Sequence, residues 1–313
     1  MAAANELADQ LQALWDAQAQ EWPMMARGVE HLANSEVREV EHGGLRCRLQ
    51  FNPGRVVSAA AKVDAKSIAA RPCFLCESNR PSEQRGVDAG DGYVFLCNPM
   101  PIFNPHFTVP TLKHQPQRIE SCLPKILELA ERLSGRYTVF YNGPKCGASA
   151  PDHLHLQASP MGATPFEEQL VADASGFVQV TEAGDVSVGM TVEPGPPALV
   201  ISGSDRLTVQ TRAEQVVTTL ADRFPADPEP MMNALALHTG GKQRVVLFPR
   251  ASHRPNNFGT DNGQVLVSPG LVDMLGLLIT PRREDFDSLN GEAVAKIYRE
   301  VSLDRGLLHQ ASL

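Results

Sequence analysis

The sequence predicts an α+β protein built from two related halves, and three observations lead to that prediction. The chain has 313 residues, of which 42% are hydrophobic, so it is long enough for one large or two smaller globular domains. Segments with apolar residues at helical spacing alternate with short segments typical of strands. The order helix, strand, turn, strand occurs twice along the chain, which indicates a duplicated unit.

The predicted elements of the first half follow an N-terminal helix over residues 4–32, in which Leu7, Leu11 and Trp15 recur on one face. A second helix is predicted over 117–133, because an apolar stripe runs along it and Gly135 follows. Alternating or β-rich patterns predict strands over 47–51, 93–97, 106–109, 137–141 and 152–158.

The second half repeats this order with a strand over 198–202, a helix over 212–224, and strands over 233–238 and 244–248. A helix over 289–307 is expected to cap it. The predicted organisation is a helical lead-in over 1–50, a first half over 51–165, a connection over 166–197 and a second half over 198–313.

The charge balance restricts the partners of the chain. Lys and Arg total 28 against 36 Asp and Glu, a formal charge of −8, and no long basic run is present. This excludes sequence-independent binding to nucleic acid polymers or anionic membranes, although backbone amides can still bind one phosphate. With no signal-peptide pattern and no run of 18 apolar residues, we expect a cytoplasmic protein with reduced cysteines.

The strongest chemical pattern spans residues 147–157, Gly-Ala-Ser-Ala-Pro-Asp-His-Leu-His-Leu-Gln. On a strand, His153, His155 and Gln157 would share one face, and the two intervening leucines would face a core. The Gly/Ser segment before them can offer amides and a hydroxyl to a phosphate, beside a nucleophilic imidazole. The alternative interpretation is that these are hydrogen-bonded polar residues on an exposed face, with no catalytic role.

A second pattern is the pair Cys73 and Cys76. With His114 and His153 it would complete a Cys2His2 set suited to zinc. A redox pair or two packed thiols are the alternatives.

The motif of residues 147–157 resembles that of the histidine-triad superfamily in its transferase branch. This branch includes galactose-1-phosphate uridylyltransferases, diadenosine tetraphosphate phosphorylases and GDP-hexose phosphorylases, and it has Gln where the hydrolases have a third His. Residues 245–250, 276–286 and 300–303 are similar to the C-terminal half of the GDP-hexose phosphorylases, and residues 142–153 resemble an uncharacterised bacterial group.

The resemblance implies a fold of two histidine-triad-like halves and a role for each matched residue. His155 would be the residue that becomes nucleotidylated, and Gln157 would bind the transferred phosphoryl group. Asn142 and Ser149 match positions that contact substrate phosphates. Gly147 and Lys145 are expected to contact phosphate as well, because the same loop offers a backbone amide and a positive charge there. The residues expected to bind a structural zinc are Cys73, Cys76, His114 and His153.

Two departures from the uridylyltransferase pattern favour the phosphorylase side of the branch. One extra residue separates Ser149 from His153, and His-Leu-His-Leu-Gln replaces His-Pro-His-Pro-Gln. We therefore expect a nucleotidyltransferase that acts on a nucleoside diphosphate-sugar or dinucleoside polyphosphate, with inorganic phosphate or a sugar phosphate as acceptor. A nucleotide hydrolase and a non-catalytic, zinc-containing nucleotide-binding protein remain as alternatives. Arg71 and Arg250 are weaker candidates for contacts with the substrate.

Overall fold

The computed structural model of the protein describes residues 2–56, 65–172 and 177–312. Residues 57–64 of the predicted first half and 173–176 of the predicted connection lie outside the described residues. Among the described helices, none is long and apolar enough to cross a membrane.

Ten of the described strands form one sheet, and three form a small second sheet. The strands are β1 Glu36–His42, β2 Leu45–Phe51, β3 Gly86–Gly90, β4 Tyr93–Cys97, β5 Phe107–Pro110, β6 Tyr137–Asn142, β7 His155–Pro160, β8 Phe177–Ala183, β9 Val186–Thr191, β10 Leu199–Gly203, β11 Met232–Thr239, β12 Lys242–Pro249 and β13 Leu277–Thr280. The helices are α1 Ala2–Glu21, α2 Pro23–Ala33, α3 Ala65–Ala69, α4 Leu123–Arg132, α5 Pro165–Val171, α6 Arg206–Arg223, α7 Leu271–Met274, α8 Arg283–Ser288, α9 Gly291–Val301 and α10 Arg305–Ser312.

The large sheet is symmetric about the junction of β6 and β11. From β6 the order outward is β7, β5, β4, β3, and from β11 it is β12, β10, β9, β8. In chain order each half is three strands, a helix and a hairpin, with α4 in the first half and α6 in the second. The duplicated α+β fold predicted from the sequence is confirmed.

The centre of the large sheet is buried on both faces. Val139 and Tyr141 of β6 pack in one apolar cluster with α1, α4 and α6, whereas Phe140 packs in a second cluster with β2, β13 and α9. This alternation follows from the two-residue period of a strand. Both faces of β6 are therefore covered, and all six of its residues are buried.

The N-terminal segment differs from the single helix predicted over 4–32. The helix ends at Glu21, and a new one starts at Pro23, because Trp22 adopts an extended conformation ahead of the proline. The lead-in is also not all helical: β1 and β2 form a hairpin, and β2 pairs in parallel with β13 from the far end of the chain.

The predicted connection over 166–197 is structured as well. It contains most of α5 and the β8–β9 hairpin, which ends the large sheet on the side of the second half. The helix expected over 117–133 starts only at Leu123, and the capping helix expected over 289–307 is two helices, α9 and α10.

Candidate active site and metal centre

The candidate motif fills the loop between the two central strands of the first half. β6 ends at Asn142, and β7 begins at His155. Buried Gln117 fastens the two strand ends together: its amide nitrogen donates to the carbonyls of Asn142 at 2.9 Å and His155 at 3.0 Å. Its amide oxygen accepts the N–H of His155 at 2.8 Å. The start of the loop and the histidine that follows it are therefore held in fixed register.

His155 has one ring nitrogen assigned by its surroundings. Its Nδ1 lies 2.8 Å from the carbonyl oxygen of His153, and since a carbonyl only accepts, Nδ1 carries the proton. The lone pair of the neutral ring is then on Nε2. Burial lowers the pKa of His155 to about 4, so the imidazole is neutral at pH 7.

Only two of the three polar residues expected on one face of the strand lie on it. His155 and Gln157 are in β7, but His153 precedes the strand in a turn, where its N–H donates to the carbonyl of Ala150. The predicted strand over 152–158 thus starts three residues too early. Because His153 lies outside the strand, its ring is directed toward Cys73, with Nδ1 3.2 Å from Sγ.

Gln157 contacts a residue that the sequence did not single out. Its amide oxygen accepts a hydrogen bond from Nε2 of buried His106 at 2.9 Å. His106 lies just before β5, 51 positions away in sequence. Nothing in the local pattern around His106 pairs it with Gln157, since only the β5–β7 pairing brings the two together.

The loop after β6 is held against the second half of the chain. The carboxamide oxygen of Asn142 accepts from Nδ2 of Asn233 at 2.8 Å and from the N–H of Leu271 at 2.7 Å. Gly143 donates to the carbonyl of Met232 at 3.1 Å. Asn142 was expected to contact phosphate. With its oxygen engaged in this way, its amide N–H groups are the donors that it could offer.

Gly147 occupies a position that requires glycine. Its φ is +95°, in the left-handed region, and a Cβ there would lie 2.6 Å from Cα of Gly270. The close approach of these two backbones brings the motif loop against the loop that leads into α7.

We expect Gly147→Ala to lower the free energy of unfolding by about 2–4 kcal/mol, because backbone strain and a steric overlap add. Gly162→Ala is the matched control, since Gly162 has φ +78° with no atom within 4 Å of its Cβ position. That variant should lose only about 1 kcal/mol. Urea unfolding measures both, and equal losses would contradict the packing argument.

The other expected phosphate contacts lie on the same loop. Ser149 is half-buried, and its carbonyl accepts from Nη2 of Arg71 at 3.3 Å. Lys145 is exposed, beside the loop residues that pack against the second half. Arg71 also pairs with Asp152 at 3.1 Å, so this weaker candidate holds the loop in place.

Arg250, the other weaker candidate, is used for structure. Its guanidinium donates to Asn233 and to the carbonyls of Pro269, Ser252, His253 and Val301. A guanidinium has five N–H donors, so these five bonds leave none for a nucleotide. The expectation of a substrate contact from Arg250 is therefore wrong. The residue instead supports Asn233, which in turn holds Asn142.

The four predicted metal ligands come together. The donor atoms of Cys73, Cys76, His114 and His153 all lie within 4.8 Å of one another. Sγ of Cys73 is 3.2 Å from Nδ1 of His153, and Sγ of Cys76 is 3.2 Å from Nδ1 of His114. Tetrahedral zinc, with bonds of about 2.3 Å to sulfur and 2.0 Å to nitrogen, would hold such atoms about 3.6 Å apart. The cluster could therefore hold a metal ion.

The surroundings of the cluster favour metal binding through Nδ1 of His153. Its Nε2 donates to the backbone carbonyl of Thr111 at 2.7 Å, which leaves Nδ1 unprotonated toward the cysteines. Cys73 and His153 are buried, whereas His114 is exposed at the edge of the cluster. A cavity of about 660 Å³ is lined by Lys113 and Gln115, the sequence neighbours of His114, and by residues of α4.

The chain is similar to one protein family in its first half and to solved structures over most of its length. Residues 14–160 match the model of a domain of unknown function, DUF4922, and that span includes the motif loop and all four potential metal ligands. Among solved structures, the chain is similar to yeast Ap4A phosphorylase Apa2, with 17% identity and a TM-score of 0.54. The alignment covers 90% of this chain and 93% of that one.

This chain has an Apa2-like fold. The complex of yeast Apa2 with AMP is similar to the same degree, with 15% identity and a TM-score of 0.55 over 90% of this chain and 96% of that one. No curated protein matches the sequence. The similarity extends over both halves, in agreement with the duplicated sheet.

Proposed function

We propose that the protein is a nucleotidyltransferase of the phosphorylase type, in which His155 carries the nucleotidyl group between two substrates. The observation that supports this most directly is the hydrogen bond from Nδ1 of His155 to the carbonyl of His153 at 2.8 Å. It sets the tautomer so that the lone pair of a neutral, buried ring is on Nε2. A positioned, unprotonated imidazole is the nucleophile that covalent nucleotidyl transfer requires.

The first step is attack of Nε2 of His155 on the α-phosphorus of the donor. A P–N bond forms, the bridging P–O bond breaks, and the electron pair leaves with the departing nucleoside polyphosphate or sugar phosphate. The ring becomes a cation, and its Nδ1–H remains on the carbonyl of His153. That carbonyl therefore stabilises the charge that develops on the imidazole.

The second step reverses the first. An oxygen of inorganic phosphate attacks the same phosphorus, the P–N bond breaks, and its electron pair returns to Nε2. With diadenosine tetraphosphate as donor, the products are ATP from the first step and ADP from the second. Donors around the phosphorus would be the amide of Gln157, the hydroxyl of Ser149 and the backbone N–H groups of Lys145, Gly147 and Ser149. The N–H groups of Gly143, Cys146 and Ala148 already donate to backbone carbonyls.

Two findings support an adenine dinucleoside polyphosphate as the class of donor. The Apa2-like fold favours a dinucleoside polyphosphate, and the neighbour solved with AMP favours an adenine nucleotide. The loop of residues 143–149 supplies backbone amides rather than a charged groove, which fits a small phosphorylated substrate.

We further propose that Cys73, Cys76, His114 and His153 bind zinc in a structural role. When bound, the metal would have four protein ligands and no open position for a substrate or a water. Its contribution would be to fix three separate segments, around residues 73–76, 114 and 153, relative to one another. Because the backbone of His153 holds the ring of His155, this order would extend to the nucleophile.

The test is incubation with diadenosine tetraphosphate or a GDP-sugar labelled with ³²P at the α-phosphate. We expect label on the protein that is stable to alkali and released by acid, as a phosphoramidate is. Addition of inorganic phosphate should release it as the nucleoside diphosphate. Release as a monophosphate at the same rate with and without phosphate would instead identify a hydrolase, and binding without label would identify a non-catalytic protein.

A further inference from the structure

His106 is a buried imidazole in an aromatic environment. Its side chain is fully inaccessible to solvent. Its ring centroid lies 5.7 Å from that of Phe103, edge to face, and 6.3 Å from that of Phe140, nearly stacked. Because the ring is buried, its two nitrogens need hydrogen-bond partners, which a phenylalanine of the same size would not need.

The two partners at Nδ1 of His106 are both donors. The backbone N–H of Ile102 and the Nδ2 amide of Asn98 each lie 3.4 Å from it. Because neither group can accept a hydrogen bond, Nδ1 carries the lone pair and Nε2 carries the proton. Burial, with the nearby charge of Arg55, lowers the pKa of His106 to about 3, so the ring stays neutral.

The proton on Nε2 decides the orientation of Gln157. Nε2 lies 2.9 Å from the carboxamide of Gln157, and as a donor it requires the oxygen there. The NH2 of Gln157 is then on the opposite side of the carboxamide. A glutamine without such a partner can rotate its amide by 180° and present its oxygen instead of its nitrogen.

We propose that His106 is a positioning residue that keeps the NH2 of Gln157, and not its oxygen, available to donate to the transferred phosphoryl group. The inference rests on the proposed function, which supplies that group. The wrong orientation would place the amide oxygen against phosphoryl oxygens and repel the charge that increases as the P–N bond forms. His106 itself contacts Gln157 and no reacting atom.

The kinetic test compares His106→Phe, which keeps the ring volume without a donor, with His106→Gln, which restores an N–H. We expect His106→Phe to lower kcat for phosphorolysis roughly 10- to 100-fold, because the phosphoryl group loses a correctly oriented donor. KM should change less than twofold, and His106→Gln should recover most of kcat. Loss of kcat in both variants alike would overturn the proposal, because it would indicate a packing role.

A double-mutant cycle separates action through Gln157 from general damage. In a Gln157→Ala background, His106→Phe should lower kcat no further, since the group that it orients is absent. Multiplied losses would overturn the proposal.

The tautomer is measurable on the wild-type protein without substrate, by ¹⁵N–¹H correlation spectroscopy of histidine-labelled protein between pH 5 and 8. We expect His106 as a neutral ring with the proton on Nε2 throughout, and a proton on Nδ1 would overturn the assignment even if no variant folds. Failure of the proposed function is a different result: wild type would neither label nor turn over, while the tautomer of His106 would be as described.

Discussion

Replacement of His155 by alanine is expected to abolish covalent labelling and to lower kcat by roughly 10⁴- to 10⁶-fold, because the variant has no nucleophile. Water could still attack the donor, which the loop would continue to orient. Without His155, however, no nucleotidyl-histidine could form, so the two-step transfer would not occur. The measurements are the rate of phosphorolysis of diadenosine tetraphosphate and the radioactivity retained by the denatured protein.

The matched control is His42→Ala, which removes an exposed imidazole from the end of β1, outside the motif loop. It should label and turn over as wild type does. Thermal unfolding of the two variants separates a chemical effect from misfolding. A His155→Ala protein that still becomes labelled would place the nucleophile elsewhere and contradict the mechanism.

Removal of the metal is expected to have the largest effect on stability. Wild-type protein should contain one zinc per chain, and a chelator should lower the free energy of unfolding by roughly 5 kcal/mol or more, since structural zinc contributes its binding energy to folding. Activity should fall in parallel, because the carbonyl of His153 that holds His155 belongs to a ligand residue. Elemental analysis measures the zinc content, and calorimetry measures the stability with and without chelator.

Cys76→Ala supplies the control for chelation, because it removes one thiolate of the cluster. This variant should contain less than stoichiometric zinc, and the chelator should change its unfolding temperature little. Wild-type protein that purifies without metal and unfolds at the same temperature with and without chelator would contradict the proposal. The cysteines would then be packed thiols.

The core strands and the residues of the candidate site were predictable because their signals are local. The β-branched and aromatic residues of β6 and the alternation in β7 indicate strands, and the polar residues between 142 and 157 are close in sequence. Cys73, Cys76, His114 and His153 span 80 positions, but they were predicted together because thiols and imidazoles suit zinc and because the resemblance to the histidine-triad transferases implies this set. The structure brings their donor atoms within reach of one metal.

The residues that support the site were not predictable, since each acts at long range. Gln117, His106 and Asn233 are ordinary polar residues whose partners lie 38, 51 and 91 positions away. Only the folded structure brings these three residues to their hydrogen-bond partners in the site. The β1–β2 hairpin is a different case. Its second strand was predicted over residues 47–51, but its first strand and the turn at Gly43 and Gly44 were assigned to the helical lead-in.

The junction of β6 with β11 has a consequence for any attempt to divide this chain. A fragment that ended before β8 would expose β6 as an unpaired edge with six formerly buried residues, a template for aggregation. The fragment would also lose the partners of Asn142 and Gly147. Although the halves repeat one topology, we therefore expect the first half to be unstable as a separate fragment.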